Sequence, residues 1–282
     1  MKNNSQLSSF LLIGISFNAV INDIIMKTLA GEGLNPLAIN GLRIFFSCII
    51  GTSIGLYYHG PQIVNKIFEL PHWIRNIATI GALWAVIYGL STANIAQVDL
   101  ITYLIPGFIS LISTLFFKEK FNYINFGLVL ICIITFLLRK GFMNTLPLII
   151  SALLFGFAEV WIRHRMDKYN FWTMVISLGA MGSILLSYFY IPVLLILKKK
   201  QLILSILMGI GDISILGLIT WKSKIGSSHD YLPLRYTSII FAIIADKVIF
   251  QGSNIDYVMV SVVVGTSILS VILNEKRKDQ NR

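Results

Sequence analysis

The sequence predicts an all-α polytopic membrane protein with ten transmembrane helices in two inverted five-helix repeats. Three observations carry this expectation. Hydrophobic residues make up 56% of the 282 and charged ones only 13%, which leaves too little polar material to coat a soluble domain. The chain divides into ten apolar runs with short links, each near the roughly 20 residues that cross a bilayer as a helix. The basic residues, finally, sort unevenly between alternate links.

The first run, 10–30, carries Asn18, Asn22, Asp23 and Lys27 and no small-residue cleavage pattern, so it reads as a retained span and not a signal peptide. A Gly33-Leu-Asn-Pro36 turn leads into 36–57, which holds Arg43 and then a Gly51-xxx-Gly55 pair, a spacing that lets two membrane helices approach closely. The longest connection, 59–73, has Ile63, Val64, Ile67 and Phe68 at helical spacing among Asn65, Lys66 and Glu69. That pattern predicts a short helix lying on the membrane surface, with an ordinary loop as the alternative.

Next come 74–95, with Trp84 and Tyr88 one turn apart, and 100–117, with Tyr103 and Pro106. The run 123–138 is apolar, and 146–162 places Glu159 one turn before Arg163, where a salt bridge is expected. After 171–197 follow 202–221, with Asp212 at mid-helix, and 231–250, with Arg235 and Tyr236 at its start and Asp246 and Lys247 at its end, where an interfacial position is expected. The last run is 255–273, before a basic tail at 276–282. Cys48 and Cys132 both fall inside runs, which implies neither a disulfide framework nor a metal cluster. No cofactor is expected.

A net charge of +10 could suggest nucleic acid, but the positions of the basic residues point to the bilayer instead. With the N-terminus inside, the inner links and tails carry fourteen Lys and Arg, and the outer ones carry five, Arg139, Lys140 and Lys198 to Lys200. That asymmetry predicts both termini in the cytoplasm. The Lys198 to Lys200 cluster lies on the side the rule disfavours, so the topology after it depends on the helix count before it.

Sliding the chain by 132 residues lays Pro106 on Ser238, Glu119 on Gln251 and 109–117 on 241–249. Five helices per half is an odd number, so the second copy enters the membrane upside down, the plan of many secondary transporters whose site lies between the halves. The expected units are 1–140, 141–275 and the tail 276–282.

The chain resembles the EamA-type branch of the drug/metabolite transporter superfamily. The resemblance rests on Lys27, the Gly33 to Pro36 turn, Arg43, Pro106, Lys118-Glu119-Lys120 and Gly127 in the first half, and on Pro233-Leu-Arg-Tyr-Thr-Ser238 in the second. This last motif is similar to one in a sub-branch that includes S-adenosylmethionine and riboflavin importers. Phe250-Gln251-Gly252 and Ser261 depart from the family pattern. The resemblance implies a multi-pass carrier of the bacterial inner membrane, a monomer or homodimer, which moves a small molecule and does no chemistry on it.

Intramembrane charges mark pathways or pair with one another. Asp23, Arg43, Asp212 and Arg235 are therefore the candidate substrate-binding charges, and Trp84, Tyr88, Tyr103 and Tyr236 the candidate aromatic walls. Asp23 and Lys27 stack at i, i+4 and could pair; Asp212 could bridge to Arg43 or Arg235. All of these except Trp84 are expected to converge near the midplane. Carboxylates for a sulfonium or ammonium, an arginine for a carboxylate and rings for a purine suit S-adenosylmethionine, ahead of riboflavin and amino acids. An exporter of amino acids or drugs remains an alternative. Gly209-Ile-Gly-Asp212 also matches a short motif of intramembrane aspartyl proteases, but no Tyr-Asp pair accompanies it.

Overall fold

The computed structural model describes residues 2–101, 104–118, 123–140, 142–163, 170–225, 232–250 and 256–280. Among these the chain is all-helical. The helices are α1 (Lys2–Gly31), α2 (Pro36–His59), α3 (Leu70–Thr92), α4 (Ile95–Ile101), α5 (Ile105–Phe117), α6 (Tyr123–Lys140), α7 (Phe142–Arg163), α8 (Phe171–Leu185), α9 (Ser187–Leu194), α10 (Lys199–Ile225), α11 (Leu232–Val248) and α12 (Tyr257–Gln280). Four described stretches are long and apolar enough to cross a bilayer, Ile13–Gly31, Pro36–His59, Leu70–Thr92 and Lys199–Leu218.

Local chemistry sets the first turn. Gly33 takes φ +88°, a left-handed conformation that glycine adopts without a Cβ penalty, and Leu34 N–H closes onto Leu29 O. Asn35 then caps α2 by accepting from Leu37 N–H at 2.8 Å, with Pro36 at the first helical position, where its missing N–H costs nothing.

One expected span is broken, and the start of another shifts. The run 100–117 opens inside α4, which already begins at Ile95, and α5 covers it from Ile105, with residues 102–103 outside the described set. The run 171–197 divides at Leu186, whose backbone leaves the helix (φ −99°, ψ 3°), and α9 turns 83° away from α8. The cause is local and tertiary together. Ser187 Oγ donates to Ile184 O, Pro192 removes a backbone donor from α9, and the buried Tyr190 lies against Gly41 and Phe45 of α2. The connection 59–73 holds only a 3₁₀ turn, Pro61–Val64, in place of a surface helix. Its Ile63 and Ile67 are buried against Ile176 of α8, while Phe68 stays exposed. The basic tail is the end of α12, which continues to Gln280.

Packing follows the small-residue rule for membrane helices, in which close backbone approach substitutes for a hydrophobic drive. Gly51 abuts Val175 and Gly55 abuts Ile63 and Trp172; Gly179 faces Cys48, and Gly209 faces the backbone of Ser47. The helices associate in matched sets: α1 with α10 and α11, α7 with α3 and α5, α2 with α8, α4 with α11, and α6 with α12. The core joins them through Val20, Leu29, Leu90, Ile95, Leu104, Phe136, Met208 and Ala242.

Besides the contacts of the interior, two groups of polar ties join helix ends. In one, Lys200 Nζ of α10 meets Glu32 Oε1 at 2.6 Å, Gln201 Nε2 donates to Glu32 Oε2 at 3.0 Å, and Arg139 reaches Asp256 at 3.4 Å. In the other, Trp161 Nε1 donates to Pro71 O at 2.9 Å and Thr173 Oγ1 to Ile63 O at 3.3 Å. The lysine cluster before α10 therefore shares an end with the α1–α2 turn.

Those donors, Lys200 first and then Gln201, hold the Glu32 carboxyl below the usual carboxylate range. A lowered folded-state value means that the tie contributes above the unfolded carboxylate's pKa and is lost as pH falls through the folded one. Acidification from neutral should thus lower the melting temperature of the wild type slightly more than that of Glu32→Gln. The gap, about 1–2 °C because the pair is exposed, is measured by thermal unfolding at a series of pH values.

Candidate functional site

Arg43 lies two turns into α2 and is 8% exposed. Its Nε donates to Asp212 Oδ2 at 2.6 Å and its Nη2 to Asp212 Oδ1, a two-bond fork onto α10. Such a planar fork matches the two oxygens of a carboxylate. Arg43 Nη1 rests on Met26 Sδ at 3.3 Å, and Asn22 Nδ2 of α1 donates to Asp212 Oδ1 at 3.4 Å. Gly211 makes room for Asn22, since a Cβ there would meet the amide. Of the two bridges open to Asp212 in the sequence, the structure forms the one to Arg43.

Asp23, the next residue on α1, is half-buried and makes no hydrogen bond or ion pair among the described residues; the charges that act on it are Asp99, Arg43 and Asp212. Asp99 of α4 is buried and accepts from Ser238 Oγ of α11 at 2.7 Å. Three carboxylates and one guanidinium, from α1, α2, α4 and α10, thus share one interior region. Both signs are available there, with one carboxylate uncommitted.

The i, i+4 pair of Asp23 with Lys27 is not formed. Lys27 Nζ goes to Asp246 Oδ1 at 3.2 Å and sits 4.7 Å from the centre of the Phe250 ring. Asp246 is not interfacial: it is fully buried, and it also accepts from Ile95 N–H at 3.1 Å and Ala96 N–H at 2.8 Å. The reason is that the first amides of α4 have no carbonyl partners of their own, and a carboxylate between them and a lysine satisfies three donors at once.

Trp84 and Tyr88 form a tilted pair on α3, with ring centroids 6.1 Å apart and exposures of 42% and 44%. They lie on the open face of that helix with Ile77, with no hydrogen bond to the charged cluster among the described residues. Tyr103 lies outside the described residues. Arg235 and Tyr236 fall in α11, one turn before Ser238, with side chains outside the described set. Glu159 is exposed; its expected partner Arg163 has a side chain outside the described set. Asp99, Asn22 as a ligand of Asp212, and Asp246 as a cap are additions that the sequence reading missed. For Asp99 the signal was present, an acid inside an apolar stretch; for Asp246 there was none, because its partners lie on two other helices.

Apolar helices around a charged interior are the architecture of a membrane protein with a polar interior region. Asp212 is committed to Arg43 through a two-bond fork. Residues 6–139 match the EamA-like transporter family. The match covers a little under half of the chain, its N-terminal part. The chain is 21% identical over 269 residues to the S-adenosylmethionine uptake transporter of Rickettsia prowazekii (strain Madrid E), covering 91% of this chain and 89% of that one. It is also 22% identical over 280 residues to the S-adenosylmethionine uptake transporter of Rickettsia bellii (strain RML369-C), covering 95% and 93%. A crystal structure matches over 97% of this chain and 98% of its own, with a TM-score of 0.57 and 16% identity, a likeness of fold.

Proposed function

We propose that the protein is a secondary transporter of the bacterial inner membrane that takes up a small zwitterionic, ring-bearing metabolite, with S-adenosylmethionine as first choice. The observation that carries this is the uncommitted carboxylate of Asp23 beside the Arg43–Asp212 pair. Such a site receives a sulfonium or ammonium at Asp23, while Arg43 can exchange part of its fork for a substrate carboxylate. Trp84, Tyr88, Tyr103 and Tyr236 are the aromatic surfaces proposed for a purine, with Arg235 as a second cation. The names of the two rickettsial relatives support the same substrate.

The transport cycle proposed is alternating access between two inverted units, 1–140 and 141–275, with ten spans and both termini cytoplasmic. The matched packing supports it: α1 with α10 mirrors α7 with α3, and α1 with α11 mirrors α7 with α5, while α2–α8, α4–α11 and α6–α12 pair across the relation. Counting α4 with α5, and α8 with α9, as single broken spans accounts for the two groups of end contacts.

Cells expressing the protein should accumulate labelled S-adenosylmethionine, and S-adenosylhomocysteine should compete. Asp23→Asn should cut uptake by about tenfold or more, the loss expected when one charge-assisted contact disappears, at normal membrane abundance. Full uptake in Asp23→Asn removes the site assignment. Saturable uptake of riboflavin or an amino acid alone replaces the substrate, and substrate-driven efflux reverses the direction.

A further inference from the structure

Arg75 lies five residues into α3, and only 4% of it is exposed. Its Nη1 donates to Asn76 Oδ1 at 3.1 Å and to Met174 O of α8 at 3.2 Å. Asn76 Nδ2 in turn donates to Ser177 Oγ at 2.8 Å, and Ser177 Oγ donates to Ile67 O at 2.6 Å. One corner of the guanidinium is therefore fixed by a network that joins α3, α8 and the α2–α3 connection. The other edge has no protein partner: Nε is buried without an acceptor, and no carboxylate pairs with the group among the described residues. Beside it lie His72 of the first turn of α3 and Glu69 just ahead of that helix, both in electrostatic reach of one another.

A buried cation without a counter-ion is costly, and the Nε–Nη2 edge is the one whose parallel N–H bonds match two oxygens of an oxyanion. The surroundings say which oxyanion. Tyr57, Tyr58, Phe68, Leu70 and Trp73 are exposed at this end, the amphipathic rings that collect at headgroup depth, and Lys66 is exposed beside them. Arg75 lies about 7 Å of helix rise from Leu70, its guanidinium held inward on Met174 O. At that depth phosphate is the abundant anion.

We propose that the Nε–Nη2 edge of Arg75 is a phosphate-binding site, framed by Asn76, Met174 and the α2–α3 connection. Its ligand is the phosphate of an anionic phospholipid headgroup or free phosphate, and the site is separate from the charged cluster of the transport reading. Binding of an anion there would tie α8 and the connection to α3.

The test compares wild type with Arg75→Gln, Arg75→Lys and the exposed control Lys66→Gln, each as the full chain. Melting is followed in nanodiscs of phosphatidylcholine alone or mixed with phosphatidylglycerol, and in detergent with sodium phosphate or sodium chloride at equal ionic strength. Phosphatidylglycerol, phosphate or both should raise the wild-type melting temperature by roughly 3 °C, the size of a ligand in moderate excess over its dissociation constant. Lys66→Gln should keep the rise, Arg75→Lys should keep part of it, and Arg75→Gln should lose it. In chloride, Arg75→Gln should melt a few degrees below wild type, the cost of its hydrogen bonds to Asn76 and Met174, and that deficit should widen by the ligand's rise when phosphate or phosphatidylglycerol is present. A rise with phosphatidylglycerol alone identifies the lipid, and an equal rise with phosphate identifies the free ion. No rise in either arm overturns the proposal. So does an Arg75→Gln deficit that is the same in chloride as in phosphate, since that assigns the residue wholly to the Asn76–Met174 network.

Discussion

Arg43→Gln and Asp212→Asn, made singly, should each destabilise the protein by about 3–5 kcal/mol, the cost of leaving one charge of a buried pair without its partner. Both side chains are about nine-tenths buried, so water cannot replace the missing partner. Arg43 would keep only Met26 Sδ, and Asp212 only the long bond from Asn22. The double variant Arg43→Met, Asp212→Leu should recover most of the stability, because an apolar pair of similar volume avoids the desolvation that the ions incur. Uptake should be lost in all three. Thermal unfolding in detergent and transport in cells separate the two effects. A double variant that is stable and still transports would make the pair structural and remove Arg43 from the site.

The second large effect is expected at Asp246. Asp246→Ala should destabilise by about 3 kcal/mol or more, since it orphans two buried amides at the start of α4 and a lysine that is largely out of water. Asp246→Asn keeps one acceptor oxygen and should lose less. Lys27→Met removes the cation but leaves the carboxylate on two N–H donors, so its cost should be the smallest of the three. This end of the bundle joins α1, α4 and α11 through a single side chain, and in the proposed alternating-access cycle it is a contact expected to break when that end opens. Asp246→Asn should therefore raise labelling of a cysteine placed at Asp23 by an impermeant thiol reagent added from that side. Unchanged labelling in a folded Asp246→Asn variant would place the moving contact elsewhere.

The sequence by itself determined the class and most of the elements. Apolar runs with few charges force helices, because a backbone in hydrocarbon must satisfy its own hydrogen bonds, and the turn at Gly33 to Pro36 and the Gly51–Gly55 approach are read directly from residue type. It also singled out Arg43, Asp212 and Asp23, since a charge in an apolar run needs a reason wherever it occurs. What it could not hold was partner choice. Asp23 and Lys27 are neighbours on one helix, yet Lys27 turns to Asp246, 219 residues away, and Arg43 reaches Asp212 across 169. Local spacing offers a pair; only the packed helices decide which carboxylate lies within a bond length and which amides need an acceptor. The break at Leu186 has the same origin in part: Ser187 and Pro192 weaken the backbone locally, but the 83° bend accompanies the seating of Tyr190 in the space above Gly41.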